Sequence, residues 1–202
     1  MSEHKHSLEL ITESAKFDYQ KKLADFNLFA AKKHDNVTKL YALLVEAKGA
    51  VATFTSVIQN YNSGEDWNTV DFTAFLEKCT ISAGQREDYL TRWAANPKSI
   101  KEEIIELQQL QRDATANNAI INCNNQSIYT QIYVSASVNE DVHQFILKLW
   151  ELYFNGRAQI LHIKQGEYRD TLNLYETYKT LNAETEQLMN KLVVSIRKEL
   201  SE

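Results

Sequence analysis

The first residues to consider are those whose side chains could bind a metal ion. The step from Glu140 to His143 places a carboxylate and an imidazole on one face of a helix. A di-iron bundle needs two such steps on facing helices and two further carboxylates, and we find no such set. We therefore expect Glu140 to interact with a helix dipole in a first turn and His143 to be a polar surface residue. The sequence predicts no metal and no cofactor.

The second chemistry to consider is nucleophilic catalysis. The sequence contains no Gly-x-Ser-x-Gly motif and no glycine-rich phosphate loop. Cys79 and Cys123 have no histidine near them in sequence, and we expect both to be buried thiols. Glu102, Glu103 and Glu106 are expected to form a solvated helix face. Catalytic groups usually lie on loops, and this chain offers few, so we do not expect an enzyme.

The composition predicts which elements must hold these residues. The chain has 202 residues, 44% of them hydrophobic, with only five Gly and one Pro. So few helix breakers favour long helices, and we predict an all-α protein. Residues 63–141 carry six Lys and Arg against twelve Asp and Glu. An acidic middle without a basic stripe argues against nucleic acid as a partner.

The strongest pattern is a stripe of apolar residues spaced three and four apart. Such spacing predicts a coiled-coil helix over 7–62, with Lys33 as the one polar position in the stripe. We call this stripe the seam. Its apolar members are Tyr19, Leu23, Phe26, Ala30, Val37, Leu40, Leu44, Ala47, Val51, Phe54, Ile58 and Tyr61.

The remaining patterns predict one elongated domain over 1–202. A cap of short helices is expected over 65–97, a further helix over 98–116, an uncharged hairpin or loop over 117–139, and a second long helix over 140–200. In that last range the apolar pattern changes phase near Gly166, which indicates a kink or a stutter. Each long amphipathic helix needs a partner for its apolar stripe, so we expect an antiparallel bundle of the two long helices.

The segment 114–139 contains no charged residue. Its second half alternates apolar and polar residues, as a strand does. Three interpretations remain open: a buried hairpin or helix–loop–helix, a β-hairpin (tongue) over 117–138 that turns at the Asn124–Asn125 pair, and an exposed tip that binds a membrane or a protein. The residues predicted to bind a partner or membrane are Ile120, Ile121, Ile128, Tyr129, Ile132, Tyr133, Val134 and Val138.

Long helices on both sides of an uncharged β-tongue at 114–139 resemble the layout of the helical pore-forming cytolysins and their related enterotoxin components. The resemblance concerns the order of elements and includes no signature motif. It implies a membrane-active subunit with 114–139 as the inserting element, and this is the alternative function.

The first function that we predict is a non-catalytic assembly protein. It would act through the seam and the uncharged segment, with a protein partner or a homo-oligomer as its target. We find no signal peptide and no transmembrane helix in the sequence. The cytoplasm is then the default compartment, and secretion without a cleaved signal remains open.

Overall fold

A computed structural model describes residues 2–56, 61–166 and 168–201, with side chains described over 12–56, 61–166 and 173–201. The predicted all-α class is confirmed, because the described residues form α-helices, one 3₁₀ turn and loops. The helices are α1 (Ser2–Thr55), α2 (Thr69–Lys78), α3 (Ala83–Ala95), α4 (Lys101–Thr130), α5 (Ala136–Gln165) and α6 (Tyr168–Ser201), with the 3₁₀ turn at Pro97–Ile100.

Local chemistry sets several of these helix ends. The side chain of Asn68 accepts a hydrogen bond from the Asp71 N–H at the start of α2. Ser82 forms a capping box with Gln85 at the start of α3. Ser135 caps α5, which therefore begins before the start that Glu140 suggested. These caps satisfy N–H groups that a helix leaves without a partner in its first turn.

Four helices form the main bundle. Asn36 of α1 lies 3.2 Å from Gln126 of α4, near the start of the packed part of α1 and the end of α4, so these two helices are antiparallel. Glu106 of α4 pairs with Lys164 of α5 at 3.1 Å, which makes that pair antiparallel as well. The core between the helices contains Val37, Leu40, Leu44, Ile120, Phe145, Ile146, Leu149 and Leu192, each at most 2% exposed.

The predicted long helix over 140–200 is wrong. α5 and α6 fold back on each other as an antiparallel hairpin, and Lys148 pairs with Glu184 at 2.9 Å while Asp141 pairs with Lys191 at 2.6 Å. Gly166 produces the reversal. Its φ of 77° is left-handed, and its N–H donates to the His162 and Ile163 carbonyls, which ends α5. The phase change in the apolar pattern thus marks two separate helices.

The β-tongue over 117–138 is also a wrong prediction, since the described residues of this segment contain no strand. α4 continues to Thr130, a connection follows at 131–135, and α5 begins at Ala136. Ala116, Ala119, Ile120 and Cys123 are buried on one side of α4, and their spacing has the period of a helix. That burial overrides the alternation of apolar and polar residues in the second half of the segment.

The predicted cap forms around a second, smaller core. Phe72 and Leu76 of α2 and Trp93 of α3 pack on the first turns of α4. The Trp93 indole N–H donates to the Gly64 carbonyl at 3.2 Å, and Gly64 itself has a left-handed φ of 74°. This cluster closes the end of the bundle where α4 begins.

The first helix also differs from the range 7–62. α1 ends at Thr55, and Tyr61 lies in a loop beneath the Arg112 guanidinium. Ile58, the seam position between them, lies outside the described residues. Residues 61–63, which follow the gap in the described residues, lead into the cap.

Candidate functional site: an exposed arm and an uncharged tip

The seam of α1 is divided into a buried half and an exposed half. From Val37 to Phe54 its six positions are at most 2% exposed. Every residue over 12–32 is exposed, and we call this range the arm. Tyr19 is 68% exposed, Leu23 47% and Phe26 67%. The same three-and-four spacing therefore continues from the core onto a helix surface that no other described element covers.

Lys33 marks the boundary between the two halves. Its ammonium lies 3.1 Å from a carboxylate oxygen of Glu199 in α6, and the other oxygen of Glu199 accepts the Ser135 N–H at 3.2 Å. Burial raises the pKa of Glu199, but the hydrogen bonds from Ser135 and Lys33 outweigh this and hold the pKa below its ordinary value. Lys33, the one polar position in the seam, thus forms the ion pair that joins α1 to α6 at this end of the bundle.

The tip, residues 128–135, lies at the base of the arm. The Tyr133 ring packs against the Phe29 ring of α1, with centroids 5.5 Å apart. Ile128 is 55% exposed, and Tyr129 and Ile132 are each 69% exposed. We call the exposed apolar residues of the tip and of the arm, which meet at the contact between Phe29 and Tyr133, the corner.

The candidate residues from sequence do not all belong to this corner. Ile120 and Val138 are buried in the main core, and Val134 packs against it. Tyr133 is half-buried, while Ile121, Ile128, Tyr129 and Ile132 are exposed. The sequence pattern predicted that the seam packs within the bundle and also contacts a partner, but it did not show where along α1 one role gives way to the other. Lys33 was the available signal, since a charge in a seam often marks a change of environment.

Burial explains the lack of charge on only one side of the segment 114–139. On α4 its inward residues are in the core, but its outward face is in contact with solvent and still carries no charge. A solvated helix face normally carries charged residues. The exposed residues of this face include Asn118, Ile121, Asn122, Asn125, Ile128 and Tyr129. An exposed surface without charge is typical of the core of a protein–protein contact.

A second surface stripe lies on α5, where Leu147, Phe154 and Leu161 are 42%, 56% and 54% exposed. Arg157 interrupts this stripe, and the Phe154 ring stacks on Trp150 with centroids 5.5 Å apart. The stripe is therefore partly covered by its own helix, and it does not continue from a buried seam as the arm does.

A cleft beside α4 offers little chemistry. It has a volume of about 860 Å³ and lies between α4 and the α2–α3 turn, with Cys79, Tyr89 and Glu103 in its walls. Burial raises the pKa of the Cys79 thiol, although Arg86 lowers it in part. Burial also raises the pKa of Cys123 to about 12. Both cysteines are free and buried, so each thiol is protonated at neutral pH and is a weak nucleophile.

The residues that the structure describes contain neither a metal site nor a membrane-spanning helix. Across 2–56, 61–166 and 168–201, no group of three or more His, Cys, Asp or Glu is placed to hold a metal ion. In the same ranges no helix combines the length and the apolar character needed to cross a bilayer. No family model, curated protein or solved structure matches this chain.

Proposed function

We propose that this protein is a non-catalytic assembly protein that binds a protein partner through the arm and the tip. The observation that carries the proposal is the seam. It is a core surface from Val37 to Phe54, and it continues in register through Tyr19, Leu23 and Phe26, where it is exposed. A helix in water gains stability when such a stripe is buried, so the arm is suited to a helical partner.

The chemistry elsewhere supports the same proposal. The cleft at α4 is bordered by a protonated thiol, and the ionisable groups of the neighbouring groove pair with each other. Asp113 accepts a hydrogen bond from the Tyr153 hydroxyl at 2.6 Å, and Lys164 pairs with Glu106. Pairs of this kind are common between packed helices, so they give no reason to assign an acid or a base to this groove. The uncharged tip extends the arm's apolar surface.

The alternative, a membrane-active subunit, has lost its main support. That function depended on a β-tongue over 117–138, and this segment is the end of α4, a connection and the start of α5. The exposed apolar corner is the remaining reason to test for lipid. We therefore treat lipid binding as an outcome of the experiments and not as a second proposal.

Photo-crosslinking in living cells tests the proposed function. A photoreactive amino acid at Phe26 lies in the seam, whereas one at Phe17 is equally exposed, at 66% against 67%, but points to the opposite side of the helix. We expect discrete protein adducts from position 26 in cells that naturally express the chain, and few or none from position 17. Mass spectrometry then identifies the adduct.

Two results would count against the proposal. Adducts of equal yield from both positions would indicate random collision with an exposed helix. The absence of protein adducts from positions 19, 23 and 26, together with adducts to lipid, would replace a protein partner by a membrane.

A further inference from the structure

The cap and the bundle have separate hydrophobic cores. The buried residues of the cap core lie between Phe72 and Leu107, in α2, α3, their adjoining turns and the first two turns of α4. The core of the bundle is built by α1, α5, α6 and the part of α4 from Ala116 onward. Among the described residues, no Cα atom of α2 or α3 lies within 8 Å of one in α1, α5 or α6. Of the described bundle helices, the cap therefore packs on α4 alone.

The two cores are also separated along α4. Leu107 is the last residue of this helix in the cap core, and Ala116 is the first in the bundle core. None of the side chains over 108–115 is buried, and these residues make about two turns of helix. The cleft of about 860 Å³ opens beside this stretch, between α4 and the α2–α3 turn. The packing of one core therefore does not depend directly on the packing of the other.

The cap is the smaller and the more weakly held of the two units. Its core has seven buried residues in the described chain, against twenty in the core of the bundle. A unit of this size buries a small share of its surface and is marginally stable. Around the core, Arg92 pairs with Glu103 and Lys101 with Glu65, but all four side chains are more than 30% exposed. Exposed ion pairs contribute little stability, so the cap should open more readily than the bundle.

We infer that the cap opens and closes on the start of α4 as one unit while the bundle stays folded. Opening exposes Ile100, Ile104 and Leu107, which are 0%, 1% and 7% exposed in the closed form. Their spacing of four and three places them on one face of a helix. The cap is thus a movable cover over an apolar surface of α4, and this inference does not depend on the function proposed for the arm.

Each core contains one native cysteine that reports its opening. Cys79 is 6% exposed in the cap core, and Cys123 is 0% exposed in the bundle core. A thiol reacts with a reagent only where the reagent can reach it. The test is to treat the folded, full-length chain with a maleimide and to follow the labelling of each cysteine by mass spectrometry. Cys79 should react at least about 100-fold faster than Cys123, because the two units differ in stability.

Two matched substitutions show whether the openings are separate. Phe72 of the cap core and Phe145 of the bundle core are both 0% exposed, so replacing either by alanine strongly weakens its own core. Phe72→Ala should speed the labelling of Cys79 at least about 10-fold and change that of Cys123 less than about 3-fold. Phe145→Ala should do the reverse. Circular dichroism of Phe72→Ala should show the loss of no more than α2 and α3, which have 10 and 13 residues.

Two results of the labelling would overturn the inference. Equal labelling rates in the wild type, with both substitutions accelerating both cysteines to the same extent, would mean that the molecule unfolds as one unit. An unchanged rate for Cys79 in Phe72→Ala would mean that this thiol reacts while the cap is closed.

Tryptophan fluorescence gives an independent measurement of the same opening. Of the three tryptophans in the chain, Trp67 and Trp93 pack in the cap core and Trp150 packs against the bundle core. In a Trp150→Phe chain the fluorescence therefore reports the cap, whereas circular dichroism reports mainly the long helices of the bundle. The fluorescence should begin to change at a lower urea concentration than the circular dichroism. Superimposable transitions would contradict a separately opening cap.

Discussion

Gly156 lies where α5 comes closest to the end of α1. A Cβ atom added at this position would lie 2.5 Å from Cγ2 and 3.2 Å from Cβ of Thr55, and Thr55 is buried. Gly49 is the contrasting case, because a Cβ added there would meet no atom within 4 Å. The two glycines therefore have different reasons to be in a helix.

We predict that Gly156→Ala lowers the free energy of unfolding by up to about 2 kcal/mol. The clash with Thr55 costs about 1–3 kcal/mol, and the better helix propensity of alanine offsets about 1 kcal/mol of this. Gly49→Ala, the matched control, should instead stabilise the protein by about 1 kcal/mol. Urea denaturation followed by circular dichroism measures both. Equal effects of the two substitutions would show that Thr55 does not restrict the site.

Glu199 predicts how stability depends on pH. Its pKa is lower in the folded protein than the ordinary value of 4.5 because Ser135 and Lys33 stabilise the carboxylate. A carboxylate with a lowered pKa contributes stability above its unfolded pKa, and this contribution is lost as the pH falls through the folded pKa. We therefore expect Glu199 to contribute at neutral pH and to lose its contribution below about pH 4.5.

The substitution Glu199→Gln tests this expectation. It should cost about 1–2 kcal/mol at pH 7 and make the stability curve flatter between about pH 5 and pH 3. Glu186→Gln is the control, because Glu186 also pairs with an α1 lysine, Lys48, but is 49% exposed. An exposed pair contributes little, so this variant should follow the wild-type curve closely. If the stability of Glu199→Gln fell with pH as steeply as that of the wild type, the acid sensitivity would belong to other groups.

At the scale of single residues, the sequence predicted several positions correctly. It predicted the burial of Cys79 and Cys123 and, in one of its alternatives, the exposure of Ile128. It could not separate Ile120, which is buried, from Ile121, which is exposed. That distinction depends on which side of α4 faces α1, and an isolated apolar pair does not contain this information.

Among the elements, α1 is half core and half surface. None of the side chains over 12–28 is buried, so this part of the helix adds no packing to the bundle. Val37 and Leu40, by contrast, are 0% and 1% exposed. The arm and the rest of α1 should therefore differ sharply in their contribution to the stability of the monomer.

Truncation measures that difference. A chain that begins at Phe29 keeps the ring contact with Tyr133 and the Lys33–Glu199 pair, and its melting temperature should stay within about 2 °C of the parent monomer. A chain that begins at Tyr41 also loses Val37 and Leu40 and should be destabilised by several kcal/mol, at about 1.5–3 kcal/mol for each large apolar side chain. Both are compared at concentrations where the parent is monomeric. A large loss of stability in the chain that begins at Phe29 would mean that the arm packs on the bundle.

The elements also show where sequence patterns were ambiguous. The alternation from Ile128 to Val138 predicted a strand as well as a helix, because Ile128, Ile132 and Ala136 also fit a step of four. The structure resolves this in favour of helices and a short connection, since α4 needs its length to pack along α1. The sequence indicated an irregularity near Gly166. A stutter within one helix and a reversal of the chain between two helices both shift the phase of the apolar pattern, so the pattern could not distinguish them.

For the whole molecule, composition was the reliable guide. The shortage of glycine and proline predicted helices, and helices are what form. The number of bundle helices was harder to predict, because it depends on whether Gly166 bends the chain or reverses it. The exposed arm could not be predicted from the seam pattern alone. An apolar stripe has the same spacing whether it packs on a helix of its own molecule or on a helix of another.

The unbroken length of α1 has a mechanical consequence. Residues 2–48 contain neither glycine nor proline, so the helix has no hinge between the arm and the core. Sharp kinks usually need such a residue, so a partner bound at Tyr19 would be held in one direction relative to the bundle.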